Sequence, residues 1–434
     1  MGLASLRERA AHAHPRLVER GRPVRVLDDD RPGAISRSDR LGEPTRKYPK
    51  PLECRMELPF AELFAGIGLV RAALGPTWRC AYANDIDPHK ARMYRAMFPD
   101  DPPEHLHLCD IWDTDAVTSR IGSPFLVTAS FPCTDLSVAG RQHGLSGPGS
   151  GTFWAMATLL RRMASEGRPP SMLMLENVHG FVTGHGGRDF RAACTELSSL
   201  GYSLDAFALD ARHFTPQSRP RLFVVGALGW EGKSDTEARP EALKLQALSR
   251  AMESMPAARW MGLRVPQPPE RPCDVGSLLD SDGDWWPEEM VAAHLANMDR
   301  PHLDRLAGPG VVTACGFRRT RRGAARLEVR IDGLAGCLRT PRGGSGRQVV
   351  VQSEAGRVRM RWMTSAEYAR LQGARHCGPV VSERQALFGY GDAVCVPAVS
   401  WLDCEVLSPL ARKLCGFHPA SYRREPSATT PARR

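Results

Sequence analysis

The chain has 434 residues, 42% hydrophobic and 24% charged, the composition of a folded globular protein long enough for two to three domains. Its net charge of +10 and pI of about 9.2 admit a nucleic-acid partner without establishing one, and of 58 basic residues only six are lysine. No apolar stretch approaches the roughly 18–20 residues of a membrane span, the N-terminus lacks the apolar core of a signal peptide, and the 12 cysteines show no CxxC pair or zinc-type spacing. The expectation is a soluble cytoplasmic protein with no metal and no membrane association.

Residues 1–50, rich in Arg and Pro with weak periodicity, read as a flexible basic arm. From Glu57 to Ala227, short apolar runs alternate with amphipathic ones. "ELPFAELFAG" precedes "GLVRAAL", "RCAYAND" precedes "PHKARMYRAMF", and "PFLVTASFPC" precedes "GTFWAMATLLRRMA". "SMLMLENV" precedes "GRDFRAACTELSSL", and "SLDAFALDA" and "RLFVVGAL" complete the series. Strands followed by helices with short links predict an α/β doubly wound, mostly parallel sheet over 57–227.

Residues 228–335 break that rhythm with "QPPERP", "DWWPEE" and the basic run "FRRTRRGAARLEVR", and read as a smaller, loop-rich domain. Trp285 and Trp286 read as local core of that domain. Residues 336–411 return to the first domain. There Thr364 and Glu367 give the T-x-x-E spacing of a capping box, and a final amphipathic helix is expected to pack back on the sheet. Residues 418–434 read as a disordered basic tail.

The unusual residues cluster at the carboxyl ends of the strands, where doubly wound sheets bind ligands. Gly66 and Gly68 follow the first strand, but Arg71 stands where a dinucleotide fingerprint would have its third glycine. Asp85 ends the second strand, suiting a ribose diol, and Asp110 ends the third. A glycine turn and two acids without a pyrophosphate site favour S-adenosylmethionine over NAD. Cys133, in "FPC", ends the fourth strand, where backbone N–H groups favour a thiolate. Glu176 ends the fifth, and burial there would raise its pKa. Gln217, Arg219 and Arg221 stand just before the last strand.

The order F-x-G-x-G, N-D-I-D, D-I, P-C-x-D-x-S, E-N-V, Q-x-R-x-R resembles the DNA cytosine-5 methyltransferases over residues 57–227 and 337–411, with a target-recognition domain inserted between. The resemblance implies a Rossmann-like methyltransferase fold and an S-adenosylmethionine pocket lined by Phe64, Gly66, Gly68 and Pro132. Asp85 would bind the ribose and Ile86 would pack on the adenine. Asp110 and Ile111 would hold the adenine edge, and Asp392 and Val394 would complete the methionine side. Cys133 would be the nucleophile, Glu176 would contact the cytosine ring nitrogen and amino group, and Arg221 the ring carbonyl. Gln217 and Arg219 would brace that loop, Arg219 within the catalytic group and Gln217 beside the DNA. "SVAGRQHGLSGPGSG" would close over a flipped base. Arg318, Arg319, Arg321, Arg322 and Arg326 would touch phosphates or guanine edges.

The sequence departs from the family pattern at Asp392, commonly asparagine, Cys395, commonly proline, Thr134, commonly glutamine, and Cys109, commonly glycine. The implied enzyme is a bacterial, nucleoid-associated monomer acting on double-stranded DNA. A cognate restriction endonuclease or defence-operon proteins would be its partners. The same chemistry on tRNA, or a catalytically silent DNA-binding regulator, are the alternatives. The sizeable inserted region favours DNA over tRNA, and the intact Cys133, Glu176 and Arg221 argue against a silent protein.

Overall fold

The structure is a computed structural model that describes residues 57–136, 143–232, 239–255, 258–308, 310–321, 324–341 and 346–417. The expected N-terminal arm and C-terminal tail lie outside the described residues.

Seven strands form the main sheet: β1 (Leu58–Leu63), β2 (Trp78–Asp85), β3 (Leu106–Leu108), β4 (Leu126–Ala129), β5 (Met172–Val178), β6 (Tyr202–Asp210) and β7 (Pro220–Leu228). Their order is β3-β2-β1-β4-β5-β7-β6, and β7 alone runs antiparallel to its neighbours. The chain reverses direction across the sheet between β1 and β4, so the ends of these strands flank a crevice.

Both faces are covered, which is why these strands read as continuous apolar runs. Along β1 and β5 alternate residues serve opposite cores. Leu58, Phe60, Met172 and Met174 pack beneath the C-terminal helices, whereas Ala61, Leu63, Leu173 and Leu175 pack on helices Thr152–Ser165 and Arg188–Ser199. The C-terminal helices do return to the sheet. Ser400 Oγ donates to the Ala73 carbonyl at 2.8 Å, and Asp403 accepts from Trp78 Nε1 at 2.7 Å and from the Gly75 amide at 2.8 Å. Their run Glu383–Gly416 is apolar enough by composition to cross a membrane, but extended backbone at Ala393 and Cys395 interrupts it and more than half of its most apolar stretch is buried in the core.

The smaller domain is built on a four-stranded antiparallel sheet, β8 (Val311–Arg321), β9 (Ala324–Arg330), β10 (Gln348–Glu354) and β11 (Arg357–Trp362), in the order β11-β10-β8-β9. Its limits differ from the expected 228–335 at both ends. Leu243, Leu248 and Ala251 pack in the main cores, and Leu204 bridges to Trp260, so the chain after β7 first returns to the large domain. At the other end β10, expected with β11 in the catalytic remainder, pairs with β8, and β11 pairs with β10. Trp286 packs on Trp362 and His294 at the edge of this domain's core, and Trp285 lies beneath the Arg359 guanidinium, so both are local packing groups. The capping box forms, Thr364 Oγ1 accepting from the Glu367 amide.

Candidate active site

The turn after β1 puts Phe64 in the left-handed region, φ 56°, followed by Gly66 and Gly68 at 58° and 82°. A β-carbon on Gly68 would lie 2.5 Å from the Phe98 ring and 2.8 Å from Tyr94, so only glycine lets the following helix seat on these rings. Arg71, in place of a third glycine, stacks over Phe98 at 3.9 Å and pairs with Asp101.

Asp85, at the end of β2, accepts from the amides of Gly66 at 2.7 Å and Asp87 at 2.8 Å. Its carboxylate ties the two turns together and keeps lone pairs for a ligand. Ile86 beside it leaves 63% of its surface exposed, an apolar face available to a flat ring. Asp110 accepts from the Trp112 amide at 3.0 Å, whereas Ile111 is buried in the core and could face a ligand only through its backbone. Asp392 ion-pairs with Lys90 at 2.9 Å, joining the C-terminal segment to the helix after β2, and Val394 beside it is buried.

Cys133 follows β4 through the exposed Pro132. The turn is clamped to the far limb of the glycine-rich segment. Asp135, buried, accepts from the amides of Gly149 at 2.9 Å and Ser150 at 3.0 Å, and Ser150 Oγ donates to the Pro132 carbonyl at 2.8 Å. A β-carbon on Gly147 would sit 2.3 Å from the Asp135 carboxyl carbon. Residues 137–142 of the expected closing loop lie outside the described residues.

The end of β5 is held against this turn by Asn177, whose Nδ2 donates to the Phe131 carbonyl at 3.0 Å. Glu176 is thereby fixed beside Cys133 and pairs with Arg221 Nε at 2.8 Å. Burial pushes the Cys133 thiol up, Arg221 pulls it down, and Glu176 and Asp392 push it up again. Burial also keeps the His179 imidazole neutral, reinforced by the charge of Arg221.

Gln217 and Arg219 hold neighbouring segments, as the resemblance implies, but their burial sets Gln217 apart from DNA and Arg219 apart from a reacting group. Gln217 is fully buried, donating to the Leu371 carbonyl at 2.9 Å and to Gln372 Oε1 at 3.3 Å, and accepting from the Leu338 amide at 3.3 Å. It has no surface with which to meet DNA. Arg219, also buried, donates to the carbonyls of Leu338 at 2.8 Å, Ala393 at 2.6 Å and Gly391 at 3.2 Å. Both residues brace residues 336–338 and 391–393 around the crevice, and Arg219 serves there instead of meeting a reacting group.

The braced loop brings in a residue that sequence reasoning passed over. Cys337 Sγ lies 3.5 Å from Arg219 Nη1 and 3.8 Å from Arg221 Nη2. As one of twelve scattered cysteines it carried no local signal.

Of the basic run, Arg318 and Arg319 are partly exposed on β8, Arg318 over the Trp362 ring at 5.9 Å and Arg319 over Phe317 at 5.0 Å. Arg326 pairs with Asp299 at 3.4 Å, Arg321 ends β8, and Arg322 lies outside the described residues. Among the described residues no group of three or more His, Cys, Asp or Glu side chains is arranged to hold a metal.

A seven-stranded sheet of this order, with its one reversed strand and a glycine turn, two acids and a thiol at successive strand ends, defines a Rossmann-like methyltransferase fold. Residues 58–261 match the C-5 cytosine-specific DNA methylase family. Relatives include the type II methyltransferase M.BsuFI of Bacillus subtilis, 31% identical over 39% of each chain. The DNA-cytosine methyltransferase of Escherichia coli K12 is 28% identical over 38% of this chain and 41% of its own. The chain thus spans about two fifths of the length of the curated relatives it matches. Among solved structures, S. pombe Dnmt2 methyltransferase superposes with a TM-score of 0.52 at 19% identity, covering 82% of this chain and 99% of that one. The Entamoeba histolytica methyltransferase EhMeth gives 0.54 at 14% over the same shares. At these identities the likeness establishes the fold alone.

Proposed function

We propose that this protein transfers a methyl group to C5 of cytosine in a specific sequence of double-stranded DNA. The observation that carries the reading is the grouping of Cys133, Glu176 and Arg221 at neighbouring strand ends, with the Glu176–Arg221 pair fixed at 2.8 Å. Two apolar or small groups at the ends of β1 and β2, the open Gly66 turn and the exposed Ile86, together with the Asp85 carboxylate, suit an adenosyl ligand. S-adenosylmethionine, when bound, would supply the methyl group.

Cytosine C5 is a weak nucleophile. In this reading the Cys133 sulfur adds to C6 as its proton leaves, and Glu176 holds a proton at ring N3. The C5–C6 double bond is thereby converted to an enamine whose C5 attacks the methyl carbon. Loss of the C5 proton then expels the Cys133 thiolate and restores the ring. Arg221 faces the ring carbonyl and offsets the charge of Glu176. A base inside the duplex cannot reach a thiol in a crevice, so the cytosine must flip out. Arg318 and Arg319 would contact the DNA from β8. A soluble cytoplasmic enzyme working beside a restriction endonuclease or a phage-defence operon is the setting this reading implies.

The test is base-resolution methylation mapping of DNA from a methylation-free bacterial host expressing this protein or its Cys133→Ser variant. A short motif methylated only by the unaltered protein is the expected result. Unmethylated DNA from a host with soluble, cofactor-binding protein would overturn it, and labelling of tRNA instead would shift the substrate.

A further inference from the structure

We infer that Cys337 is a second reactive thiol of the active site, where small-molecule disulfides form a reversible mixed disulfide that blocks the pocket. The inhibition rests on the proposed methyl-transfer reading; the reactivity of the thiol does not.

The geometry is that of a cationic cradle around one sulfur. Arg219 Nη1 stands 3.5 Å away and Arg221 Nη2 3.8 Å away, both from β7, and Arg339 adds its charge from the loop that carries Cys337. Arg219 is buried and its Nε–H has no partner among the described residues, so the cradle retains cationic capacity that its carbonyl contacts do not absorb. Glu176, on β5, occupies Arg221 Nε and also acts on Arg219, offsetting part of this charge. Tyr368, from the helix Ser365–Leu371, is the remaining titratable neighbour and its hydroxyl stays neutral because it is buried.

Burial alone would raise the Cys337 thiol, but Arg221 and Arg219 outweigh it and hold the thiol below its ordinary value. Cys133, where burial and the charge of Glu176 outweigh Arg221, is shifted the other way. The two thiols of one site are therefore set apart. The nucleophile toward cytosine is held toward its protonated form, and its neighbour is held toward the thiolate. Cys337 remains partly exposed, so a small disulfide can reach it.

In the exchange, the Cys337 thiolate attacks one sulfur of R–S–S–R, the S–S bond breaks, and R–S⁻ leaves and takes a proton from water. A free thiol reverses the step by attacking the mixed disulfide. The attached group would lie against Arg221 and Glu176, where the base must enter.

The experiment treats the full-length protein, without cofactor or DNA, with substoichiometric 4,4′-dithiodipyridine at pH 7, followed by peptide mapping by mass spectrometry. Cys337 is expected to be labelled about tenfold faster than Cys133, with methyl transfer falling in step and returning on addition of dithiothreitol. Cys337→Ser should remove the fast phase while the slow labelling of Cys133 persists. First labelling at Cys133 or at the exposed Cys404 would overturn the proposal, as would full methyl transfer by protein labelled at Cys337. Fast labelling at Cys337 in a protein that shows no methyl transfer before treatment would uphold the reactive thiol and count against the methyl-transfer reading instead.

Discussion

Arg221 and Glu176 are a diagonal pair across antiparallel strands: Arg221 lies opposite Val178 in the β5–β7 register, and Glu176 stands two residues away on the same face. That reversal of β7 lets a side chain from the last strand reach the acid of the fifth at 2.8 Å. Glu176→Gln keeps the shape and removes the charge. If Glu176 stabilises a protonated ring nitrogen, methyl transfer should fall by about 10²–10⁴ in single-turnover assays, with cofactor binding unchanged. Arg221→Ala should act on stability as well, because it strands a buried carboxylate at a cost of about 3–5 kcal/mol, visible in thermal melts. Wild-type rates in Glu176→Gln would remove the acid from the reaction.

Glu62 makes a prediction about pH. It lies on β1, buried beneath the glycine turn, with Oε2 unpartnered among the described residues, and burial raises its carboxyl to about 8 against the opposing backbone hydrogen bonds of Arg71 and Val70. The folded state keeps the proton that the unfolded chain releases near 4.5. Stability from this group is therefore fully present below about 4.5, falls as pH rises and levels off above about 8. Glu62→Gln, neutral at every pH, should match the wild type in thermal melts near pH 4.5 and exceed it by several degrees at pH 8. Parallel melting curves for the two proteins across that range would show that Glu62 ionises freely in the fold.

The strand ends were legible because a strand buried on both faces is a continuous apolar run, and the first polar residue after it marks the crevice. Asp85, Asp110, Cys133 and Glu176 were all found in this way. The reversal of β7 was not legible, since "RLFVVGAL" reads the same in either direction. Nor was the place of β10 and β11: "RVRMRW" alternates as a strand should, but nothing local tells that β10 pairs with β8 across a loop and β11 with β10. Gln217 and Arg219 show a second limit. Polar side chains at a strand start look like surface contacts until the fold encloses them, and only the enclosure reveals that carbonyls from distant segments use their donors. Cys337 was hidden for the same reason, because its electrostatic neighbours come from another strand.

The two domains are fastened by a buried ion pair. Arg361, on β11, donates through both terminal nitrogens to Glu367 at 2.6 and 2.9 Å, and Glu367 also accepts from the amides of Thr364 at 2.7 Å and Asp280 at 2.9 Å. Burial works against the Glu367 charge, but Arg361 and these amides more than offset it and hold its carboxyl below the usual value. Its stabilisation is therefore present at neutral pH and lost as pH falls through that lowered value. Glu367→Ala should destabilise the protein by about 3–5 kcal/mol in denaturant titration at pH 7, because it leaves the Arg361 guanidinium buried and unpaired. A loss below about 1 kcal/mol would mean that water reaches the pair.

Asp392 occupies a position at which the family commonly has asparagine, and here its carboxylate pairs with Lys90 at 2.9 Å. Burial opposes the Lys90 charge, and Asp392 with Asp85 restores it, raising the ammonium above its ordinary value. Asp392 is about half exposed, so the pair itself contributes about 0–1 kcal/mol to stability. Its larger effect should fall on S-adenosylmethionine, whose sulfonium and ammonium outnumber its one carboxylate, so that a negative charge at residue 392 favours the ligand in the proposed pocket. Asp392→Asn removes that attraction and leaves the Lys90 ammonium unpaired, so S-adenosylmethionine should bind more weakly by about two- to tenfold. Lys90→Met should strengthen binding by a similar factor, since it removes the competing cation and leaves the carboxylate. Isothermal titration of both variants at low and high salt separates the cases. A charge effect shrinks as salt rises, and equal affinities for all three proteins at low salt would place the Lys90–Asp392 pair outside the cofactor's reach.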